Sequence, residues 1–306
     1  MEMRKGALMD RKGIAAYIAI VIIVSFAIEA LIIGMGLTLW PAYLLLLVPA
    51  AAARAASRLS PSVSYFTGAA WRVPIRPALR MTVAIPMVFA VAYAISSVIG
   101  YVRFDWDFGE LMGLLAPLEQ LKIDPQLALL IPKIAFIMAL LLSVILGPTA
   151  YALLMLGNEY GWRGYLLPRL MPLGRWRAYI ITGVLWGLSI LPLVLATPGG
   201  PPVVDTVRLL AMMVALSLLL GKVWNRSRNL GLTAVCCGCC ICQATTIWTF
   251  SVVSPTTLLP WAAGFDNTAI AAVLITAFGA TRLFGKLDGA AREARNTPLD
   301  GRSIDG

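Results

Sequence analysis

Residues 14–36 read IAAYIAIVIIVSFAIEALIIGMG, a run of apolar residues with a single charged side chain, Glu29. A helix of about 20 mostly apolar residues is long enough to cross a bilayer. Lipid offers the backbone no hydrogen-bond partners, so such a run must be helical. Seven further stretches have the same character, and the sequence predicts an all-α, polytopic integral membrane protein with about eight transmembrane helices. The predicted spans are residues 14–36, 38–57, 81–102, 127–147, 178–197, 206–222, 230–253 and 266–283.

The composition agrees with this class. Of the 306 residues, 59% are hydrophobic and 13% are charged, whereas a soluble globular chain is roughly 45–50% apolar and about 25% charged. These proportions exclude a soluble domain. The chain contains no histidine, which excludes every mechanism that needs an imidazole as a metal ligand, a general base or a pH switch.

The net charge of +10 comes from 25 Lys and Arg residues against 15 Asp and Glu residues. Basic residues collect on the cytoplasmic flanks of transmembrane helices. Of the 25, 21 lie in alternate connecting segments, at 1–13, 54–80, 149–177, 222–228 and beyond 281. The pattern predicts an integral plasma-membrane protein with both termini in the cytoplasm. A nucleic-acid footprint would cluster on a soluble domain instead, so no nucleic-acid partner is expected.

The chain is predicted to form one membrane domain with polar ends. Residues 1–13 are a cytoplasmic N-terminal arm, residues 14–284 the transmembrane domain, and residues 285–306 a polar cytoplasmic tail.

Two ionisable residues lie inside predicted spans, Glu29 in the first and Lys133 in the fourth. Charges in hydrocarbon are expensive and are usually paired or functional. Both residues fall in the outer half of their spans, which predicts a pair between the two helices. The alternative is that each side chain reaches the outer surface separately.

The segment 156–170 reads LGNEYGWRGYLLPRL. Glu159 and Arg163 are four residues apart and therefore share one face of a helix. Trp162 and Tyr165 can lie at the membrane interface. A carboxylate beside a matching guanidinium at the inner membrane surface is a candidate functional site.

This segment resembles the first motif, EExxxR, of the CPBP family, the CAAX protease and bacteriocin-processing (Abi) group of intramembrane endopeptidases. The family's second motif, WGLWHLP, is similar to residues 186–192, WGLSILP, and its third, HAxxN, to residues 243–247, QATTI. The resemblance covers about residues 125–255. It implies a bundle of about eight helices, a cavity that opens to the cytoplasm, and cleavage of prenylated or other membrane-borne peptides.

The departures from the family pattern fall on the positions to which the resemblance assigns water activation. The first Glu of EExxxR is Asn158, the two histidines are Ile190 and Gln243, and the asparagine is Ile247. Peptide hydrolysis needs a water molecule activated by a base or a metal, and none of these side chains supplies one. The sequence therefore leaves the question of an enzyme open but favours a catalytically silent relative, with no cofactor and no metal.

Glu159 and Arg163 are the retained catalytic-motif residues, and two interpretations of them remain. Glu159 could still act as a base in an active or weakly active CAAX-type endopeptidase. Alternatively, the two residues form a buried ion pair that holds the motif helix against its neighbours, and the loss of the other motif residues favours this second interpretation.

All five cysteines lie in residues 234–246, AVCCGCCICQATT. Their CxxC spacings are compatible with zinc or an iron–sulfur cluster. However, Ala234, Gly238, Cys242 and Thr246 recur every four residues, which is typical of close helix packing in lipid. Packing is the favoured interpretation.

Three classes of function therefore compete. The first is an intramembrane endopeptidase, and the second is a protein that captures a lipidated or membrane-borne peptide without cutting it. The third, a transporter, is the least favoured, because the sequence shows no pair of broken-helix repeats. The expected partners are the lipid bilayer and a prenylated or membrane-borne peptide.

Overall fold

The computed structural model describes residues 10–36, 40–59, 72–104, 125–196, 202–248, 252–253 and 266–284. Nearly all of these residues are helical, which confirms the all-α class. The predicted N-terminal arm up to residue 9 and the tail 285–306 lie outside the described residues. The division into an arm, a membrane domain and a tail stays a prediction.

The first half of the chain contributes four α-helices and a 3₁₀ helix. The 3₁₀ helix, Trp40–Leu46, precedes α2. The α-helices are α1 (Arg11–Gly34), α2 (Val48–Leu59), α3 (Ile75–Val98) and α4 (Pro125–Leu146).

The second half continues from α4 without a loop. A run of helical turns leads through α5 (Ala152–Glu159) and α6 (Leu167–Leu170) to a 3₁₀ turn at Met171–Leu173. The remaining helices are α7 (Arg175–Leu188), α8 (Leu191–Leu195), α9 (Pro202–Ser227), α10 (Leu230–Cys242) and α11 (Asn267–Leu283).

Side-chain caps fix where three of these helices begin. The carboxylate or amide oxygen of the residue before the helix accepts a hydrogen bond from a first-turn N–H, which has no partner within the helix. The bonds are Gly13 N to Asp10 at α1, Leu232 N to Asn229 at α10 and Ala269 N to Asp266 at α11, with lengths of 2.9, 2.8 and 2.7 Å.

Three π-helical segments interrupt the regular α-helical pattern. They are Gly147–Tyr151, Tyr160–Leu166 and Gln243–Ile247. The second contains Arg163 of the first motif, and the third is the segment that resembles the third motif. Because π turns inside α-helices occur frequently at functional sites, their placement supports these two segments as candidates.

Four described helices are long and apolar enough to cross a membrane. They are Arg11–Gly34, Ile75–Val98, the continuous run Phe136–Leu173, and Pro202–Ser227. Leu230–Thr245 and Asn267–Leu283 are apolar but shorter. The protein is therefore an integral membrane protein in contact with the bilayer, while the number of eight crossings stays a prediction.

Three predicted spans are not single helices. Span 38–57 divides into the 3₁₀ helix and α2, and span 178–197 divides into α7 and α8. Both divisions occur at prolines, which have no N–H to donate and favour the first turn of a new helix. Span 230–253 ends its helix at Ile247. Beyond it, β2 (Val252–Val253) pairs antiparallel with β1 (Arg103–Phe104).

Packing places α9 and α10 at the centre of the bundle. Helix α9 packs against α7, α10 and α11, and α10 packs against α3, α5 and the first π-helical segment. Helix α1 packs against α2, which also contacts the second π-helical segment. Large apolar side chains on the outside, such as Ile23 (67% exposed), Val91 (56%) and Ile137 (55%), form the surface that faces lipid.

Candidate functional site

Glu159 and Arg163 form a fully buried ion pair. Arg163 Nη1 donates to Glu159 Oε1 at 2.9 Å, and neither side chain has any exposed surface. The two residues are one helical turn apart, on the border between α5 and the second π-helical segment, as their spacing predicts. Arg163 Nε and Nη2 and Glu159 Oε2 have no hydrogen-bond partner, so the pair retains unused donors and one unused acceptor.

Asn158 lies beside this pair and is 2% exposed. Its side-chain oxygen accepts a hydrogen bond from Trp162 Nε1 at 2.8 Å, whereas its Nδ2 has no partner. The amide is thus oriented by the indole, with its donor end unused. Because an unpaired buried polar group is destabilising by about 1–3 kcal/mol, this collection of unused donors marks the site as unusual.

Aromatic side chains from three helices enclose the pair. The Trp186 ring lies 4.7 Å from the Arg163 guanidinium carbon, in cation–π geometry. Tyr17 of α1 contacts Trp162 edge-on at 5.6 Å and stacks on Tyr165 at 5.1 Å. Trp162 and Tyr165 are at most 1% exposed. Both aromatics pack inward around the motif, and their depth relative to the membrane surface stays a prediction.

The start of α1 is bound to the end of the motif. Arg169 Nε contacts Asp10 Oδ2 at 3.2 Å, and the Arg169 guanidinium stacks on the Tyr165 ring at 3.6 Å. The Tyr165 hydroxyl donates to the Gly13 carbonyl at 3.3 Å. Sequence reasoning missed Tyr17, Asp10 and Arg169, because no pattern within a segment shows which distant helix will cover it.

The second motif contributes its tryptophan but not the residue at the histidine position. Trp186, near the end of α7, is 5% exposed and touches Arg163 as described. Ile190 lies between α7 and α8, is half-buried, and packs against the apolar core. An aliphatic side chain at this place can neither accept a proton nor bind a metal.

In the third motif, Gln243 is fully engaged away from Glu159. Its Nε2 donates to Ser143 Oγ at 2.9 Å, and its Oε1 accepts from Trp248 Nε1 at 3.2 Å. Gln243 is 1% exposed. Ile247 ends the same π-helical segment. The structure therefore does not bring Gln243 together with the first motif.

Cys236 and Cys237 of α10 both lie near the first motif, and Cys237 is the one that contacts Glu159. Its buried thiol lies beside the Glu159 carboxylate and interacts with it. Gln243 follows Cys237 by six residues, more than one and a half turns of an α-helix, which accounts for its position elsewhere in the bundle. Sequence reasoning missed Cys237 because the cysteine run was considered only as a metal site or as a packing surface.

The cysteine helix packs closely, as the recurrence of small residues predicts. All five cysteines are buried, and none of them forms a disulfide. A Cβ added at Gly238 would lie 2.5 Å from the Ala152 nitrogen and 2.8 Å from its Cα. Helix α10 can approach α5 this closely only because residue 238 has no side chain.

The predicted pair between Glu29 and Lys133 is not formed. Glu29 is completely buried, and neither carboxylate oxygen has a hydrogen-bond partner. It lies one turn from Ile32, which packs with Leu45 and Leu193. Lys133 is exposed, as the alternative of separate placement predicts for this residue alone. Matching depth was insufficient for pairing, because Glu29 is buried in the bundle whereas Lys133 is exposed on its surface.

The side chains around Glu159 do not suit a metal ion. One oxygen of Glu159 is already bound to Arg163, and the guanidinium charge beside it disfavours a cation. The Asn158 oxygen is bound to Trp162. In the part of the chain that the structure describes, no group of three Cys, Asp or Glu side chains is arranged to hold a metal. The donors that remain around Glu159 are therefore a poor match for a metal ion.

A buried acid–arginine motif in an all-α membrane bundle is the arrangement expected of relatives of intramembrane CAAX endopeptidases. The model of the family described as "Type II CAAX prenyl endopeptidase Rce1-like" matches residues 133–240 and confirms the recognition of this family. The match contains the first two motifs and Cys237 and ends three residues before Gln243. Comparison with curated proteins and with solved structures found no match.

Proposed function

We propose that this protein is a catalytically silent relative of the CAAX endopeptidases that binds a lipidated or membrane-borne peptide. The observation that carries the proposal is the closed Glu159–Arg163 pair with unused hydrogen-bond donors beside it. The pair has no exposed surface, whereas a hydrolase must bring water to its base.

The chemistry of the neighbouring groups supports the loss of hydrolysis. A general base must hold a proton-accepting group near neutral pH and within reach of the water. Asn158 has no such group, and Ile190 and Gln243 stand where the family resemblance implies histidines. One oxygen of the Glu159 carboxylate already accepts a hydrogen bond from Arg163 at 2.9 Å, which leaves only the other oxygen to contact a water molecule.

The unused donors support a binding role. Asn158 Nδ2 and Arg163 Nε and Nη2 all lie within about one helical turn and have no acceptor. Carbonyl oxygens of a peptide backbone, or a terminal carboxylate, would satisfy them. In a site that excludes water such charge-assisted hydrogen bonds are strong. Because the site is covered by Tyr17 and Trp186, entry of a peptide requires a movement of α1 or α7.

A weakly active endopeptidase is the second candidate, and one observation favours it. Glu159 Oε2 is unpartnered and the Cys237 thiol lies next to the carboxylate. A water molecule admitted here could donate to the free oxygen, and Arg163 could stabilise developing negative charge.

Cleavage of a fluorogenic prenylated peptide by the protein in lipid nanodiscs separates the two candidates. If the protein is catalytically silent, the wild type gives background cleavage and Glu159→Ala leaves it unchanged. Cleavage that Glu159→Ala abolishes would establish the endopeptidase instead. Arg177→Gln, at an exposed site outside the motif, is the matched control.

Photo-crosslinking of the same peptide tests binding. The wild type and Arg177→Gln are expected to be labelled, and Asn158→Leu, which removes the unused amide donor, is expected to lose most of the labelling. Equal labelling of all three proteins would contradict binding at this site.

The proposed orientation follows from the distribution of basic residues. The concentration of Lys and Arg in alternate connections supports cytoplasmic termini, and we propose the plasma membrane as the location. Reporter fusions at each terminus, one active only in the cytoplasm and one only outside, test this orientation. Reporter activity on the outer side would overturn it.

A further inference from the structure

A second polar site lies at the end of α9, and none of its lining residues belongs to the acid–arginine motif. A cavity of 270 Å³ opens where the start of α7, the end of α9 and the end of α11 meet. In the proposed orientation this is the cytoplasmic side. The volume is below the roughly 300–1,000 Å³ of sites for whole drug-sized ligands, so the cavity fits a compact chemical group.

The charged lining of the cavity is entirely basic. Arg175, Lys222 and Arg226 line it, and no acidic side chain does so among the described residues. Arg175 and Arg226 are exposed, and the structure shows neither of them in an ion pair within the described part of the chain. The Lys222 ammonium donates to the Ala277 carbonyl at 3.0 Å and lies over the Phe278 ring at 4.4 Å.

A fourth cation, Arg228, extends this basic group. Partial burial lowers the pKa of the Arg228 guanidinium and nearby Arg175 lowers it further, while Tyr179 opposes both effects. Arg228 lies at the turn between α9 and α10 with a backbone φ of 51°, a conformation that residues other than glycine rarely adopt. Cations gathered this closely repel one another unless an anion joins them.

The backbone adds to the positive potential at one side of the cavity. Helix α7 begins at Arg175, and Gly174 before it offers no side-chain cap. Its first turn, which contributes Arg175 and Trp176 to the lining, therefore carries partial positive charge on its N–H groups. The C-terminal ends of α9 and α11 oppose this with about half a negative charge each, less than the full charges of Arg175, Lys222 and Arg226.

The rim of the cavity is aromatic and faces outward. Trp176 is 55% exposed and Phe278 is 65% exposed. Aromatic side chains at this level are typical of the membrane–water boundary. An anion in the cavity would thus have apolar surface beside it on the membrane side, which suits a headgroup attached to acyl chains better than a free ion.

We infer that this cavity binds the phosphate group of an anionic phospholipid from the cytoplasmic leaflet. Arg175 and Arg226 contact the phosphate, Lys222 fixes the base of the site, and Trp176 and Phe278 contact the first part of the acyl chains. Basic pockets between transmembrane helices on this side are suited to such headgroups.

The test compares lipids on the purified protein in detergent micelles, where orientation and catalysis play no part. Phosphatidylglycerol is expected to raise the thermal unfolding midpoint in a saturable manner, whereas phosphatidylcholine and inorganic phosphate are not. The double substitution Arg175→Gln with Arg226→Gln should weaken the apparent affinity for phosphatidylglycerol about 30-fold, at about fivefold for each arginine.

The matched control is Arg58→Gln with Arg177→Gln, which removes the same charge from exposed positions outside the cavity and should leave the affinity unchanged. If both double variants lose affinity for phosphatidylglycerol equally, the loss reflects net charge alone and the proposed binding site is wrong. An equal response to inorganic phosphate would overturn the lipid assignment.

A second measurement does not depend on the arginine variants folding. Phosphatidylglycerol with brominated acyl chains should quench part of the tryptophan fluorescence of the wild type, and Trp176→Phe should lose that part. Unchanged quenching in Trp176→Phe would also overturn the inference.

Discussion

The Arg163 guanidinium contacts the Glu159 carboxylate at 2.9 Å and the Trp186 ring at 4.7 Å, so one side chain joins two motif helices. Since removal of one partner leaves a buried charge uncompensated, Arg163→Met should lower the free energy of unfolding by about 3–5 kcal/mol. Glu159→Gln combined with Arg163→Met should lower it less than Arg163→Met alone.

Thermal or denaturant unfolding in micelles measures both changes. Arg177→Gln, at an exposed position, should stay within about 0.5 kcal/mol of the wild type. A double variant that is less stable than either single variant would show that the two residues act independently.

The position of Cys237 predicts which substitutions can restore hydrolysis. Asn158→Glu and Ile190→His return proton-accepting groups to the first two motifs, and Cys237→His places a third on the side of α10 that faces Glu159. General base catalysis contributes about 10²–10⁴-fold, so cleavage of a fluorogenic prenylated peptide should rise at least about 100-fold above the wild type.

The comparison variant carries Asn158→Glu and Ile190→His with Gln243→His. It should stay at background, because residue 243 faces Ser143 and Trp248. Higher cleavage by this variant would show that residues 243–247, and not Cys237, hold the position of the third motif. Unfolding midpoints of both variants are compared first, since a larger side chain in a packed core can lower stability by about 1–3 kcal/mol.

The space around a glycine decides the effect of replacing it with alanine, and Gly238 in α10 and Gly34 at the end of α1 should respond in opposite ways. Gly238→Ala places a methyl group against the Ala152 backbone and should lower stability by about 1–3 kcal/mol. Gly34→Ala meets no atom within 4 Å and should raise stability by up to about 1 kcal/mol, because alanine favours the helix. Stabilisation by Gly238→Ala, measured by the same unfolding assay, would contradict the contact.

Removal of the Glu29 carboxyl group should raise the free energy of unfolding. Both its oxygens are buried without a partner, an arrangement that is destabilising by about 1–3 kcal/mol. Glu29→Leu should recover most of that amount, while Glu29→Gln should remain near the wild type. A loss of stability in Glu29→Leu would reveal a favourable interaction of the carboxylate.

A double-mutant cycle of Glu29→Gln and Lys133→Met then tests the separation of the two residues. The coupling energy should lie below about 0.5 kcal/mol, as for residues with no shared partners. A larger coupling energy would support an interhelical pair between Glu29 and Lys133.

Local sequence signals led to correct predictions where neighbours along the chain decide the outcome. The apolar run at 14–36 identified α1, and the four-residue spacing of Glu159 and Arg163 put both on one face. The prolines at 41 and 49 interrupted the predicted second span in the sequence, and the structure divides it between Leu46 and Val48, next to Pro49. Each of these features depends on a few consecutive residues and on general rules of helix geometry.

Features that depend on how helices rotate against each other were missed. Gln243 was assigned to the site because residues 243–247 resemble the HAxxN motif. The rotation of α10 instead brings Cys237 next to Glu159. Glu29 and Lys133 matched in depth but not in direction. The π-helical turns add to this difficulty, because each changes the angular position of the residues that follow it, and a constant period of about 3.6 residues no longer describes the face.

The contact between the start of α1 and the end of the motif also bears on how the protein is made. Gly13 and Asp10 meet Tyr165 and Arg169 across 152 and 159 positions of chain. At a synthesis rate of about 5–20 residues per second, α1 is in the membrane for roughly 8–30 seconds before these partners are translated. Until then, Asp10 and the neighbouring tyrosine at position 17 lack their final surroundings. The first helix to leave the ribosome therefore completes its packing late in biogenesis. Interruption of translation before residue 165 would leave α1 without its contacts to Tyr165 and Arg169.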